Sequence, residues 1–238
     1  NLSVAYLDGD DLIDMLPALQ HKGHEFLNLD NGEAFSNLGC KPIAANAYLG
    51  GWGIVRALNE GVDIIITGRV TDAAPVIALA AWWHQWKETD FNELAQALVA
   101  GHLVECSNYV TGGNFPGFKN IGPLDNLGYP IAEIAANGDV VITKGEMTNG
   151  AVTKESVITQ LVYELQGSYY VNPDVTAYLP NICITEIAKN RVLVTGATGI
   201  APPKTAKVGI STIGGYTAEM HWYFAGLDIK EKVEMFKT

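Results

Sequence analysis

The chain has 238 residues, 48% of them hydrophobic and 17% charged, the balance of a packed globule of one large or two small domains and not of a disordered chain. Fifteen basic against twenty-six acidic residues give a net charge of −11, which disfavours nucleic acid and anionic membrane as partners, and no basic run offsets it. The longest apolar run, Val76 to Trp83, is too short to span a bilayer and the N-terminus has no charged-then-apolar signal pattern, so a soluble, cytoplasmic protein is expected.

Leu2 to Leu7 alternates weakly as a strand, and a chain that opens directly on a strand is expected to continue a preceding segment. The strand ends in Asp8-Gly9-Asp10-Asp11, after which Leu12, Ile13, Leu16 and Leu19 have helical spacing. Asp10 or Asp11 is expected as the N-cap of that helix; a hard-cation site built from Asp8, Asp10 and Asp11 is the alternative. Leu27 to Leu29 reads as a short strand before the Asn31-Gly32 turn. From Asn46 to Leu58 the residues Tyr48, Trp52, Val55 and Leu58 share one helical face. Gly50, Gly51 and Gly53 lie inside that pattern instead of following a strand, which is the wrong context for a dinucleotide loop and points to close helix packing.

Val62 to Thr67 is the strongest strand, apolar nearly throughout, and predicts a parallel sheet covered on both faces. Gly68 to Pro75 then turns into a helix with Thr71 or Asp72 as cap. Ligands bind beyond such strand ends, so Arg69 is placed to hold a carboxylate or phosphate with Asp72 orienting it; a purely structural Arg69–Asp72 pair closing the turn is the alternative. Trp82, Trp83 and Trp86 point to core or subunit contact, and hence to a homo-oligomer. Asp90-Phe91-Asn92-Glu93 resembles a capping box opening the next helix.

That helix sets Phe91, Leu94, Leu98 and Glu105 on one stripe with His102 beside them, so two ionisable groups meet an apolar face. His102 and Cys106 lie four residues apart, but a third metal ligand is not evident, and no metal is expected. Cys106 sits at the helix's C-terminal end, where the dipole raises a thiol pKa and disfavours covalent chemistry. Cys40, Cys106 and Cys183 fit neither a disulfide framework nor a CxxC site. General acid–base work by His102 or Glu105 fits better, with Gly112, Gly113 and Asn114 presenting donors to an oxyanion. The other reading leaves His102 and Glu105 satisfied by each other or by neighbouring backbone.

Past Phe115 a Pro- and Gly-rich connection marks a candidate boundary, giving a parallel-sheet region over 1–118 and a hairpin-rich region over 119–238. Hairpins are predicted across Asn137-Gly138, Lys189-Asn190 and Gly214-Gly215, with strands Lys207 to Ile213 and Tyr216 to Tyr223 in the third. Helices are predicted from Thr153 to Leu165 and from Asp228 towards Lys237. The fold class expected is α/β, with a mostly parallel sheet in the N-terminal half and an antiparallel, hairpin-rich α+β region after it.

Asn46-Ala47-Tyr48-Leu49-Gly50, Thr67-Gly68-Arg69-Val70-Thr71-Asp72, Gly101-His102-Leu103-Val104-Glu105-Cys106, Thr111-Gly112-Gly113-Asn114-Phe115 and Tyr129-Pro130-Ile131-Ala132-Glu133 together resemble the acyclic terpene utilisation AtuA-like family. Val141-Ile142-Thr143-Lys144, Thr159 to Glu164 and Asn172-Pro173-Asp174-Val175 extend the likeness, which runs from Val4 to beyond Lys207. The resemblance implies a place in the catabolism of acyclic terpenes such as citronellol and geraniol, whose later steps use CoA thioesters, and association with an acyl-CoA carboxylase. It also implies a glycine-rich strand–turn segment ahead of Leu2 that completes the sheet.

On that footing the leading expectation is an enzyme acting on a branched carboxylic acid or its CoA thioester by proton transfer, as a hydratase, isomerase or lyase. Arg69 and Lys144 would hold the anion beside Asn46 and Asp72, His102 or Glu105 would move the proton, and Gly113-Asn114 would steady the oxyanion. CoA is expected only as part of the substrate, and a dehydrogenase is disfavoured because no dinucleotide fingerprint is present. The rival expectations are a non-catalytic scaffold or binding subunit of an acyl-CoA-processing complex, with the tryptophans as its interface, and a regulatory ligand-binding protein.

Overall fold

A computed structural model describes residues 2–237; Asn1 and Thr238 lie outside them. The opening strand forms as β1 (Val4–Leu7), followed by a 3-10 turn at Ile13–Met15 and a short α1 (Leu16–His21). Neither Asp10 nor Asp11 caps α1. Asp11 Oδ1 accepts from the Ile13 N–H, and the backbone of 10–12 is drawn out along the next strand, β2 (Pro42–Ala47), through Leu12 N–H to Ala45 O and Ala47 N–H to Asp10 O. Leu27 makes only an isolated bridge to Ala34, so the short strand expected at Leu27 to Leu29 does not form.

The predicted helix from Asn46 starts only at Trp52, as α2 (Trp52–Asn59), because Asn46 and Ala47 belong to β2 and Leu49 still bridges Val70 in an extended conformation. Strand pairing on both edges outweighs the helical spacing. The glycines do serve packing: a Cβ on Gly51 would stand 2.8 Å from Ala74 O, and one on Gly53 would stand 2.6 Å from Leu7 Cδ2. β3 (Ile64–Thr67) pairs in parallel with β1, in register from Val4↔Ile64 to Leu7↔Thr67.

Among the described residues this parallel sheet has two strands only, so the mostly parallel, doubly covered sheet expected for the N-terminal half does not form. α2 covers one face through Leu7, while Ile64 and Ile66 on the other are 43% and 50% exposed. Among the described residues the other strand pairs are antiparallel, with isolated parallel bridges at Leu49–Val70 and Leu127–Asn149. α3 (Ala74–His84) and α4 (Phe91–Glu105) follow. Asp90 takes the N-cap position of α4 as expected, but its side chain makes no cap bond and turns back to accept from the Lys87 N–H at 2.7 Å.

α4 is the centre of the molecule. Ten successive residues, Leu94 to Leu103, are buried, so the helix has no solvent face, as expected of a helix wrapped on all sides. Strands β4 (Pro130–Ile134) and β5 (Val140–Lys144) form the predicted hairpin with Gly138 at φ +85°. α5 (Lys154–Leu161) begins with a capping box in which Thr153 and Ser156 exchange side-chain to N–H bonds. β6 (Tyr169–Val171), β7 (Thr176–Tyr178), β8 (Cys183–Ala188), β9 (Arg191–Thr195) and β10 (Thr198–Ile200) complete two antiparallel sheets, ordered β4-β5-β9-β8 and β10-β7-β6. Val140, Ile142, Val192 and Val194 point inwards with the two-residue period of half-buried strands and close over α4.

The third predicted hairpin does not form. β11 (Val208–Thr212) instead runs antiparallel to β2, and Tyr216 to Tyr223 is not a strand. One core spans residues on both sides of the boundary expected near 118, from Ala73 to Ala197. A terminal α6 (Ile229–Lys237) follows. Among the described residues no helix is long and apolar enough to cross a membrane.

The start of α3 crosses α4 closely, since a Cβ on Gly101 would stand 2.6 Å from Ala73 Cβ and 2.8 Å from its Cα. Alanine gains about 1 kcal/mol over glycine in a helix, yet Gly101→Ala is expected to destabilise the fold by about 1–3 kcal/mol through overpacking. Chemical denaturation monitored by circular dichroism measures this directly; a stabilised variant would contradict the close crossing.

Candidate functional site

Just beyond the C-terminal end of β3 a cavity of about 540 Å³ opens, lined by Asp10, Asn46, Gly68, Arg69, Val70, Thr71, Asp72 and Pro75. Asp10 is 8% exposed, and its Oδ2 accepts from the Arg69 N–H at 2.8 Å and from Asn46 Nδ2 at 3.0 Å. The Arg69 N–H is the main cause that holds this carboxyl below the usual aspartate range, with the Asn46 amide acting in the same direction against the opposing effect of burial. Gly68 leaves room for the carboxylate, since any Cβ there would collide with it. Asp10, Asn46 and the 68–69 backbone therefore form one rigid platform, built from three segments far apart in sequence.

Arg69 stands on that platform with its guanidinium largely free. Nη1 makes one long hydrogen bond to Val70 O at 3.5 Å and an exposed ion pair with Asp72 at 3.6 Å. Its Cζ lies 5.3 Å from the Tyr48 ring centre, and Lys207 Nζ lies 5.0 Å from the same ring. Such contacts hold a cation without consuming its N–H donors. Behind the turn, Thr71 Oγ1 accepts from Asn172 Nδ2 at 3.0 Å, which ties the site to the end of β6.

The structure brings Asn46, Arg69 and Asp72 together and places the other sequence-predicted residues elsewhere. His102 is buried in the core, with Nε2 at 2.9 Å from Gln160 O and its ring edge-on to Tyr170 at 5.6 Å. Burial is the first cause that lowers its pKa, so the imidazole stays neutral and donates to that carbonyl. Glu105 is exposed at the end of α4 and accepts from Cys106 Sγ at 3.0 Å. Burial, and then Glu105, push the Cys106 thiol up to about 11. Gly113 spends its N–H on Asn108 O at 2.7 Å, Gly112 (φ +117°) packs on Ile121, and Asn114 is exposed. Lys144 is buried and its ammonium closes the following turn on the carbonyls of Gly145 and Thr148.

The acidic triplet is dispersed: Asp10 enters the cavity, Asp11 holds a turn, and Asp8 is exposed. Among the described residues no group of three or more His, Cys, Asp or Glu is arranged to hold a metal ion. The sequence offers Asp10 as a helix cap or a cation ligand and assigns Tyr48 and Lys207 no role in the site. The usable signal for Asp10 was an aspartate just past one strand facing a glycine just past its neighbour.

These features define a mixed α/β protein with a polar cavity at a strand end. Residues 1–238, the whole chain, match the family described as acyclic terpene utilisation family protein AtuA, and the chain belongs to that family. No curated protein and no solved structure matches it.

Asp10→Ala leaves the Arg69 N–H and the Asn46 amide without their acceptor and is expected to cost about 1–3 kcal/mol. Because the folded pKa of Asp10 is depressed, its stabilisation is present above the ordinary aspartate range and is lost as pH falls through the lower folded value. Denaturant titrations over acidic pH should show this loss in the wild type and not in Asp10→Asn.

Proposed function

We propose that the chain acts in acyclic terpene utilisation by binding a branched carboxylic acid, or its CoA thioester, at Arg69. The observation that carries the reading is the Arg69 guanidinium, its backbone N–H bonded to Asp10 and its Cζ 5.3 Å from the Tyr48 ring centre, yet engaged only at 3.5 and 3.6 Å. A ligand carboxylate forms two parallel charge-assisted hydrogen bonds with such a fork, displacing or sharing the exposed Asp72. Asn46, with one amide proton given to Asp10, keeps its other proton and its oxygen for the ligand.

Lys207, against the same tyrosine, adds positive charge beside Arg69 in a chain that is otherwise strongly acidic. In this reading Asp10 is a positioning residue, and His102, committed to Gln160, supports the core behind the site and does not touch the ligand. Arg69→Gln is expected to weaken citronellate binding more than tenfold in calorimetry, as loss of a charge-assisted pair requires. Unchanged affinity in that variant would sink the assignment.

A second reading, a non-catalytic subunit of an acyl-CoA-processing complex, draws on α3, where Leu79 and Trp83 lie four residues apart and are 52% and 72% exposed. Trp86 does not join them, being buried with its Nε1 donating to Ala136 O. In that case Trp83→Ser abolishes co-purification with an acyl-CoA carboxylase while citronellate binding persists.

A further inference from the structure

A second cavity, of about 340 Å³, is lined mainly by Leu7, Leu49, Trp52, Pro173 and Asp174. Leu49 on this side and Val70 on the other are bridged to each other, so the two cavities share a wall. The lining is apolar except for the carboxyls of Asp174 and of Asp8, which is exposed. Asp174 is 2% exposed, and both its oxygens lie 2.9 Å from a single donor, the Gly51 N–H just ahead of α2. A carboxylate accepts about four hydrogen bonds, so this one is buried with most of its capacity unused.

The placement is tightly built. Asn172 Oδ1 accepts from the Asp174 N–H at 3.1 Å while Nδ2 of the same residue binds Thr71, and a side chain on Gly50 would collide with the carboxyl. Burial, first, and the negative charge of Glu88 raise the Asp174 pKa to about 6, with the Gly51 N–H pulling the other way. Both protonation states are therefore accessible near neutrality. An asparagine would accept the same N–H without a charge to desolvate, so capping α2 does not by itself call for an aspartate here.

We propose that this apolar cavity binds an uncharged, branched hydrocarbon ligand carrying a hydroxyl or carbonyl oxygen, and that Asp174 exchanges a proton with that oxygen. The Oδ–H bond breaks as a lone pair of the ligand oxygen takes the proton, and the O–H electron pair stays on the carboxylate. That carboxylate is held by the Gly51 N–H at the positive end of α2, and the reverse step returns the proton. The choice of an acyclic terpenoid as ligand rests on the function proposed above; the site itself does not depend on Arg69.

The test uses the 238-residue chain, its Asp174→Asn variant and Arg69→Gln, with citronellol as the uncharged probe. A raised folded pKa means that the folded state holds the Asp174 proton more tightly, so wild-type stability falls as pH rises from the ordinary aspartate value through about 6. Asp174→Asn is expected to lack this fall and to melt several degrees higher than the wild type above pH ~6. Citronellol is expected to bind the wild type and Arg69→Gln with proton uptake near pH ~6.5, seen as a buffer-dependent heat, and to bind Asp174→Asn without it. The proposal is overturned if Asp174→Asn melts lower at neutral pH or does not fold, which would make Asp174 structural, or if citronellol gives no binding or the same buffer-independent heat in both chains. Failure of Arg69→Gln to weaken citronellate binding would remove the anion reading and leave this one standing.

Discussion

Complete burial of α4 is the constraint on which the rest of the structure depends. A helix with ten consecutive buried residues must be covered by α3, α5 and the two antiparallel sheets at once, and each polar side chain on it must find a partner inside. Gln96 does so by donating to Val194 O at 3.3 Å and accepting from the Ala197 N–H at 2.8 Å. His102 does so through Gln160, whose side-chain amide returns a bond to His102 O at 2.9 Å. These bonds act as clamps that lock a sheet and a helix to α4 in one register. The ionisable groups that stand out in the sequence of α4 thus resolve into a core histidine and a solvated glutamate.

With α4 fixed, the start of α3 is fixed through Gly101 and Ala73, and with it the 68–75 turn on which the candidate site stands. The end of β6 reaches the same turn through Asn172 and Thr71. The β6–β7 region therefore helps to hold the 68–75 turn in place. Their joint is polar and specific, which suits a site whose geometry must be held to a fraction of an ångström.

Two carboxylates, Asp10 and Asp174, show how similar local motifs give opposite electrostatics. Each sits against a glycine that leaves it room, and each receives a backbone N–H from a distant segment, 59 and 123 residues away. Asp10 also receives an amide proton from Asn46 and is held in its ionised form; Asp174 has one donor, an apolar surrounding and Glu88 nearby, and is pushed towards its neutral form. The number of donors and the access of water, not the residue type, set the difference. A charged polar cavity and an apolar one with a near-neutral acid are separated by the Leu49–Val70 bridge.

Local pattern alone was sufficient for the strands at Val4 and Ile64, the Asn137-Gly138 and Lys189-Asn190 hairpins, the α3–α4 succession and the placing of Arg69 past a strand end. Each of these depends on hydrophobic period, turn chemistry or capping within a few residues. The motifs quoted from Asn46 to Val175 also sufficed for the family. Tertiary structure decided the rest. β2 took Asn46 out of a helical pattern because β11, some 160 residues later, pairs with it, and the strand expected after Gly214 was left without a partner. His102 became a core clamp because α5 arrives to meet it, and Asp10 became the platform of the site because Arg69 and Asn46 converge on it. The charge state and role of a buried polar group are set by the donors that surround it, and those come from segments whose approach no local spacing encodes.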